Sequence, residues 1–120
     1  MSNTKIPVGR PTDYSKELAE EICYRIANGE GLVKICKDEN MPARSTVMRW
    51  IFKIPEFQDI YTHAREQQAD FYFEEILDIA DDKSGDTYED EKGNIRTDHE
   101  NINRSRLRVD TRKWVIARLA

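Results

Sequence analysis

Long apolar runs, cysteine and glycine are all scarce in this sequence of 120 residues. No apolar run approaches the roughly eighteen residues that a membrane-spanning helix needs, and residues 1–10 lack the apolar core of a signal peptide. Two cysteines are too few for a disulfide framework and are typical of a reducing compartment. The sequence therefore predicts a small cytosolic protein with no membrane partner.

Charge is unevenly distributed along the chain. Residues 1–54 carry nine Lys and Arg against seven Asp and Glu, residues 55–103 carry four against fifteen, and residues 104–120 carry six against one. An acidic middle segment repels polyanions. Any contact with nucleic acid therefore has to come from the N-terminal part of the chain or from the basic C-terminal segment.

The apolar spacing of residues 14–54 predicts a helix-turn-helix domain that follows a flexible arm, residues 1–13. Ser15 can cap a first helix, a short second helix follows Gly31, and a third helix begins at about Arg44. Two short helices joined by a tight turn, with a longer helix before them, are typical of the tri-helical helix-turn-helix.

The outer face of the third helix predicts a DNA-binding surface, because residues 40–55 contain no Asp or Glu. Arg can bind a guanine edge or a phosphate, Ser can donate to a phosphate, and Lys supplies a positive charge. We predict contacts from the third helix, from lysines of the second helix and from the arm in the minor groove: Arg44, Ser45, Arg49 and Lys53; Lys34 and Lys37; and Arg10. The alternative is a structural three-helix bundle whose cations are only solvated.

Residues 55–120 predict a helical oligomerisation domain, so the fold class is all-α. From about Glu56 to Asp82 neither Gly nor Pro interrupts a helix that would be roughly 40 Å long. Part of this helix can cover the helix-turn-helix core with an apolar stripe: Phe57, Ile60, Tyr61 and Ala64.

Three consecutive aromatic residues, Phe71, Tyr72 and Phe73, lie further along the same helix. Their rings fan over roughly 200° of its surface, so one neighbouring face cannot bury them all. A second copy of the chain is the simplest partner, and the alternative is burial by the last helix of the same chain. The predicted oligomerisation residues are Phe71, Tyr72, Phe73, Ile76, Ile79, Leu107, Arg112 and Trp114.

Residues 83–103 form a polar, acidic segment that predicts a loop or a small β-hairpin between Thr87-Tyr88 and Ile95-Arg96. A calcium loop is excluded because its obligatory glycine would be Glu91 and its closing glutamate would be Thr97.

A final helix is predicted from about Asn103, with a basic ridge at Arg104, Arg108 and Arg112. The simplest partner for this ridge is the acidic set of the long helix, within or between subunits, and DNA is the alternative: Glu74, Glu75, Asp78, Asp81 and Asp82.

Catalytic chemistry is not indicated. Cys23 and Cys36 occupy apolar helix positions, which favours buried thiols over zinc ligands, and His99 has no nucleophile near it in sequence. There is no glycine-rich phosphate loop. We therefore predict no catalytic residue, no metal site and no cofactor.

Three stretches of the chain carry a family resemblance. They are Gly9-Arg10-Pro11-Thr12-Asp13-Tyr14, then Met41-Pro42 leading into Ser45-Thr46-Val47-Met48-Arg49-Trp50, and finally Ser105-Arg106-Leu107-Arg108-Val109-Asp110-Thr111-Arg112-Lys113-Trp114. Together they resemble the small subunit of a tailed-phage terminase, and the last stretch is the most distinctive.

The resemblance implies a non-enzymatic subunit that acts in the bacterial host cytoplasm. Such a subunit assembles into a homo-oligomeric ring, recognises double-stranded viral DNA for packaging, and brings in the terminase large subunit, an ATPase and nuclease. It also implies a recognition helix at Arg44–Lys53 and a hub built from Phe71–Asp82 and Leu107–Leu119. The alternative functions are a dimeric helix-turn-helix transcription regulator and a structural ring protein without DNA affinity.

Overall fold

The computed structural model describes residues 10–119, and in that range the fold is all-α with one β-hairpin, as the sequence predicts. The boundary between two compact units lies within the fourth helix, between Gln68 and Ala69. The elements in chain order are α1 (Lys16–Ala27), α2 (Leu32–Ile35), α3 (Arg44–Lys53), α4 (Pro55–Asp81), β1 (Thr87–Glu89), β2 (Ile95–Thr97) and α5 (His99–Leu119).

The ends of α1 are set by residues with little helix propensity of their own. Ser15 is the N-cap, and its hydroxyl oxygen accepts a hydrogen bond of 3.1 Å from the Leu18 N–H, which satisfies one of the free donors of the first turn. Beyond the C-terminus, Gly29 adopts a φ of 98°, a conformation that side chains with a Cβ rarely tolerate. The predicted cap at Ser15 is confirmed.

A continuous hydrophobic core fills the first unit. It joins α1, α2 and α3 to the first half of α4, and its fully buried members include Ile22, Ile26, Ile35, Val47 and Phe57. The predicted stripe of α4 is confirmed, because Phe57 and Ala64 are buried and Ile60 and Tyr61 pack against the same core.

Polar contacts fix the turn between α1 and α2. The Arg25 guanidinium pairs with Glu30 at 2.8 Å and with Asp38 at 3.3 Å. The backbone carbonyl of Glu30 accepts a hydrogen bond of 3.0 Å from Nε2 of Gln68, whose side chain is buried. These contacts attach the turn both to α1 and to α4. They thereby fix the position of α2 before the start of α3.

The second unit contains the predicted hairpin. Thr87 pairs with Thr97 and Glu89 with Ile95 in an antiparallel register. Asp90 stabilises the turn by accepting hydrogen bonds from the N–H groups of Lys92 and Asn94, at 2.9 and 2.8 Å.

The predicted start of the last helix, at about Asn103, is wrong, because α5 begins at His99. The Asp98 carboxylate accepts a hydrogen bond of 3.0 Å from the Asn101 N–H, the contact by which an N-cap residue starts a helix. The Asn101 side-chain amide in turn donates to Asp86 at 3.0 Å, which ties the helix start to the hairpin. The acidic connection between the long helices is therefore shorter than residues 83–103.

Candidate nucleic-acid interface

Packing on one side determines which face of α3 is exposed. Val47 and Trp50 are buried, and the Trp50 ring makes edge contacts with Tyr14 and Phe57 at centroid distances of 5.4 and 6.2 Å. Edge-to-face aromatic contacts restrict ring orientation, so they fix the rotation of α3 about its own axis. The opposite face of the helix is thereby held in solvent.

The predicted DNA-binding residues of α3 all lie on this exposed side. They are Arg44, Ser45, Arg49 and Lys53. Within residues 10–119, none of these four side chains has a hydrogen bond or an ion pair, so no contact in that range occupies their donors and charges. We define the α3 outer face as the exposed residues of this helix: Arg44, Ser45, Met48, Arg49, Phe52 and Lys53.

Nearby lysines extend the basic character of this unit. Lys34 is exposed on α2, as predicted, but the prediction that Lys37 lies on the same helix is wrong. The α-helix ends at Ile35, and the Lys37 N–H bonds instead to the Lys34 carbonyl at 3.2 Å, the three-residue spacing of a turn. Lys37 is exposed on that turn.

Arg10 contacts the protein itself in the structure. Its guanidinium donates hydrogen bonds to the backbone carbonyl oxygens of Cys36 and Pro42, which border the connection from α2 to α3. These bonds give Arg10 a structural role beside the predicted contact with the minor groove, which stays a prediction. Residues 1–9 of the predicted arm lie outside the described residues.

Two of the acidic groups near α2, Glu30 and Asp38, are paired with an arginine. The Arg25 side chain donates to Glu30, and this hydrogen bond holds the pKa of the Glu30 carboxyl below its usual value. Asp38 is paired with the same guanidinium. Their charges therefore oppose an approaching polyanion less than free carboxylates would.

The two cysteines are buried, as the sequence predicts. Burial raises the pKa of the Cys23 thiol to about 11 and also raises the pKa of Cys36. Both thiols are therefore protonated at neutral pH, and a protonated thiol is a poor nucleophile and a poor metal ligand. Among residues 10–119, no group of three His, Cys, Asp or Glu side chains is placed to hold a metal ion.

The second unit exposes much of its apolar surface. Of the predicted oligomerisation residues, Phe73 is 57% exposed, Leu107 61% and Trp114 63%. Phe71, Tyr72 and Ile76 are half-buried, and Ile79 is the only buried residue in 69–119. In particular, α5 has no buried residue at all between His99 and Leu119.

One contact of the predicted basic ridge is formed within the chain. Nε of Arg112 donates to the Glu75 carboxylate at 2.8 Å, which joins α5 to α4 inside the second unit. Arg118 lies over the ring of Trp114 at 5.0 Å, so this exposed aromatic carries a cation on one side.

Sequence reasoning misses two apolar residues as members of the candidate interface. Neither Met48 nor Phe52 is among the residues that the sequence predicts to contact DNA. Their signal is their spacing, because positions 48 and 52 are four apart and lie off the stripe of Val47, Trp50 and Ile51.

No helix in the described part of the chain is long and apolar enough to cross a membrane.

Comparison with known proteins connects this arrangement to a family. The model of the family described as "Bacteriophage Sf6, terminase small subunit-like" matches residues 14–120. No match was found among curated proteins.

Solved structures give the same result. Three crystal structures of single-substitution variants of the terminase small subunit gp1 of the bacterial virus Sf6 are similar to this chain. The variant in which Arg is replaced by Ala has 42% sequence identity to this chain and a TM-score of 0.68. The variant in which Asp is replaced by Arg has 44% identity and a TM-score of 0.67. The variant in which Lys is replaced by Glu has 43% identity and a TM-score of 0.68. Each match covers 91% of this chain and 75% of the relative. Because the family match spans nearly the whole sequence and the identities exceed 40%, the chain belongs to the phage terminase small subunit family.

Proposed function

We propose that this protein is the DNA-recognition subunit of a phage packaging motor. It binds double-stranded viral DNA through the α3 outer face, assembles into a homo-oligomeric ring through its second unit, and recruits the terminase large subunit in the bacterial host cytoplasm. It supplies recognition, and the catalysis belongs to the large subunit.

The observation that carries this proposal is the set of exposed cations on α3. Within residues 10–119, Arg44, Arg49 and Lys53 are exposed without an ion pair, on a helix that a packed core holds in place. In helix-turn-helix proteins the corresponding helix enters the major groove. Membership of the terminase small subunit family supports viral DNA as the ligand.

Assembly is supported by the small core of the second unit. A segment with one buried residue in 69–119 and with exposed Phe73, Leu107 and Trp114 has little apolar burial to offset the entropy of ordering its backbone. Contacts between copies would bury these side chains. Repetition also serves DNA binding, because a module with a net charge of only +2 in residues 1–54 makes few phosphate contacts by itself.

The proposed DNA contact is tested with the double variant Arg44→Ala/Arg49→Ala. We expect DNA affinity to fall by about 1–3 kcal/mol for each arginine that binds a base edge, and by less where the arginine holds only a phosphate. The measurement is retention of phage genomic DNA fragments in a gel, at fixed salt because phosphate contacts are salt-dependent.

A matched control is Lys16→Ala/Lys92→Ala, which removes the same charge from exposed positions outside α3. This control should retain nearly all of the DNA binding. Equal binding by the Arg44→Ala/Arg49→Ala variant and the wild type would contradict the assignment of α3. A twofold palindromic footprint together with a dimeric mass would instead indicate a transcription regulator.

A further inference from the structure

The α3 outer face contains two large apolar side chains. Phe52 is 81% exposed and Met48 is 36% exposed, although both are large hydrophobic side chains. Neither belongs to the core of the first unit, in which Val47 and Trp50 represent α3. Their exposure therefore has no explanation in the packing of residues 10–68.

The cations of this face lie on both sides of the apolar pair. At about 100° per residue, Met48 and Phe52 point roughly 40° and 80° away from Arg44 around the helix axis. Arg49 and Lys53 point roughly 140° and 180° away in the same direction. Ser45 points roughly 100° away, beside Phe52. The outer face thus has two apolar side chains and one hydroxyl between its positive charges.

This arrangement matches the chemistry of the DNA major groove. Phosphates border the groove on both sides, where cations can pair with them. Inside the groove, the C5-methyl group of thymine is the apolar feature that the bases present, and Phe and other apolar side chains contact it. The absence of any acid from residues 40–55 favours this polyanionic ligand over a protein partner.

We propose that Met48 and Phe52 are specificity-determining residues that recognise thymine methyl groups in the major groove. This inference rests on the proposed function, and it adds the class of base that the recognition helix selects. Arg44, Arg49 and Lys53 position the helix, whereas the two apolar side chains distinguish thymine from the other bases.

The test compares the affinity of the protein for a duplex that contains thymidine and for the same duplex with deoxyuridine in its place. Deoxyuridine pairs in the same way and lacks only the C5-methyl group. A duplex is first enriched from a randomised pool with the full-length wild-type protein and is then synthesised with either base. We expect the deoxyuridine duplex to bind about fourfold more weakly for each contacted methyl group, from roughly 0.8 kcal/mol per buried methyl and 1.4 kcal/mol per factor of ten.

Three variants show which side chains are responsible for the preference. Phe52→Ala and Met48→Ala should weaken binding to the thymine duplex and bring the thymine to deoxyuridine ratio towards one. Arg49→Ala should weaken binding to both duplexes and leave this ratio as it is in the wild type. Both apolar side chains are solvent-exposed, so circular dichroism should show unchanged helix content.

Each outcome is decisive. Equal wild-type affinity for the two duplexes overturns the inference and leaves DNA recognition by α3 intact, and this comparison needs no variant to fold. An unchanged ratio in both apolar variants also overturns it, because residues other than Met48 and Phe52 would then distinguish the methyl group. Failure of the wild type to retain any duplex overturns the proposed function, and the inference with it.

Discussion

At the scale of single residues, the first unit depends on polar contacts around one turn as well as on its core. Arg25 holds both Glu30 and Asp38, and the Glu30 carbonyl receives Gln68 from α4. The carboxylate of Glu30 is therefore expected to stabilise the folded state in a pH-dependent way. This follows because its pKa is lower in the folded protein than in the unfolded chain.

The contribution of Glu30 should be present above the pKa of the unfolded chain and be lost as the pH falls through the lower, folded value. We expect Glu30→Gln to cost about 0.5–1 kcal/mol of the free energy of unfolding at neutral pH, because the pair is partly exposed. Urea unfolding over a range of pH checks this. The difference between variant and wild type should disappear at acidic pH, and a difference that persists there would show that the carboxylate charge is not responsible.

At the scale of elements, the first half of α4 completes the helix-turn-helix domain. Phe57 is fully buried, and its ring contacts Tyr14, Trp50 and Tyr61 at centroid distances of 5.9, 6.2 and 6.0 Å. The long helix is thus part of the framework that presents α3 to solvent.

Truncation of Phe57 should therefore destabilise the first unit. We expect Phe57→Ala to cost about 3–5 kcal/mol because it leaves a cavity among three aromatic rings. Thermal or urea unfolding measures this through the fluorescence of Trp50, with Trp114, the other tryptophan, replaced by Phe in every protein compared. Phe52→Ala, on an exposed position of the adjacent helix, is the matched control and should change stability by less than about 0.5 kcal/mol. A similar cost for both variants would refute the proposed role of Phe57.

The elements differ in how well the sequence predicts them. The helix bounds of α1 and α3 follow from the cap at Ser15 and from the turn residues, and the hairpin follows from the turn at Gly93, whose φ is 81°. The start of α5 does not follow from the sequence. Asp98 caps this helix, but the residues around Asp98 are polar and show no helical spacing of apolar residues. The end of α2 cannot be predicted from the sequence either, because Lys37 has good helix propensity and yet lies outside the helix.

The candidate site is only partly visible in the sequence. The cations of α3 can be found from the helical period and from the lack of acids. The exposure of Phe52 cannot, because an apolar residue near a helix end most often belongs to the core. The bonds from Arg10 to the carbonyls of Cys36 and Pro42 are also beyond sequence reasoning, since they join residues far apart in the chain.

At the scale of the whole molecule, the two units bury apolar surface very differently. The first unit has a continuous core, whereas the second has Ile79 as its one buried residue in 69–119. The ion pair between Arg112 and Glu75 is partly exposed to water and contributes little by comparison with apolar burial. The central claim is that copies of the chain supply the burial that the second unit lacks.

Native mass spectrometry of the wild-type protein beside Phe73→Ser tests this claim most directly. We predict a closed multimer of one defined stoichiometry for the wild type and smaller species for Phe73→Ser, because the substitution removes an exposed apolar side chain that we propose to be buried between copies. Phe52→Ser, which alters an exposed aromatic of the first unit, should keep the wild-type mass. A wild-type protein that stays monomeric at high concentration, with the helix content of α4 and α5 intact, would contradict the claim.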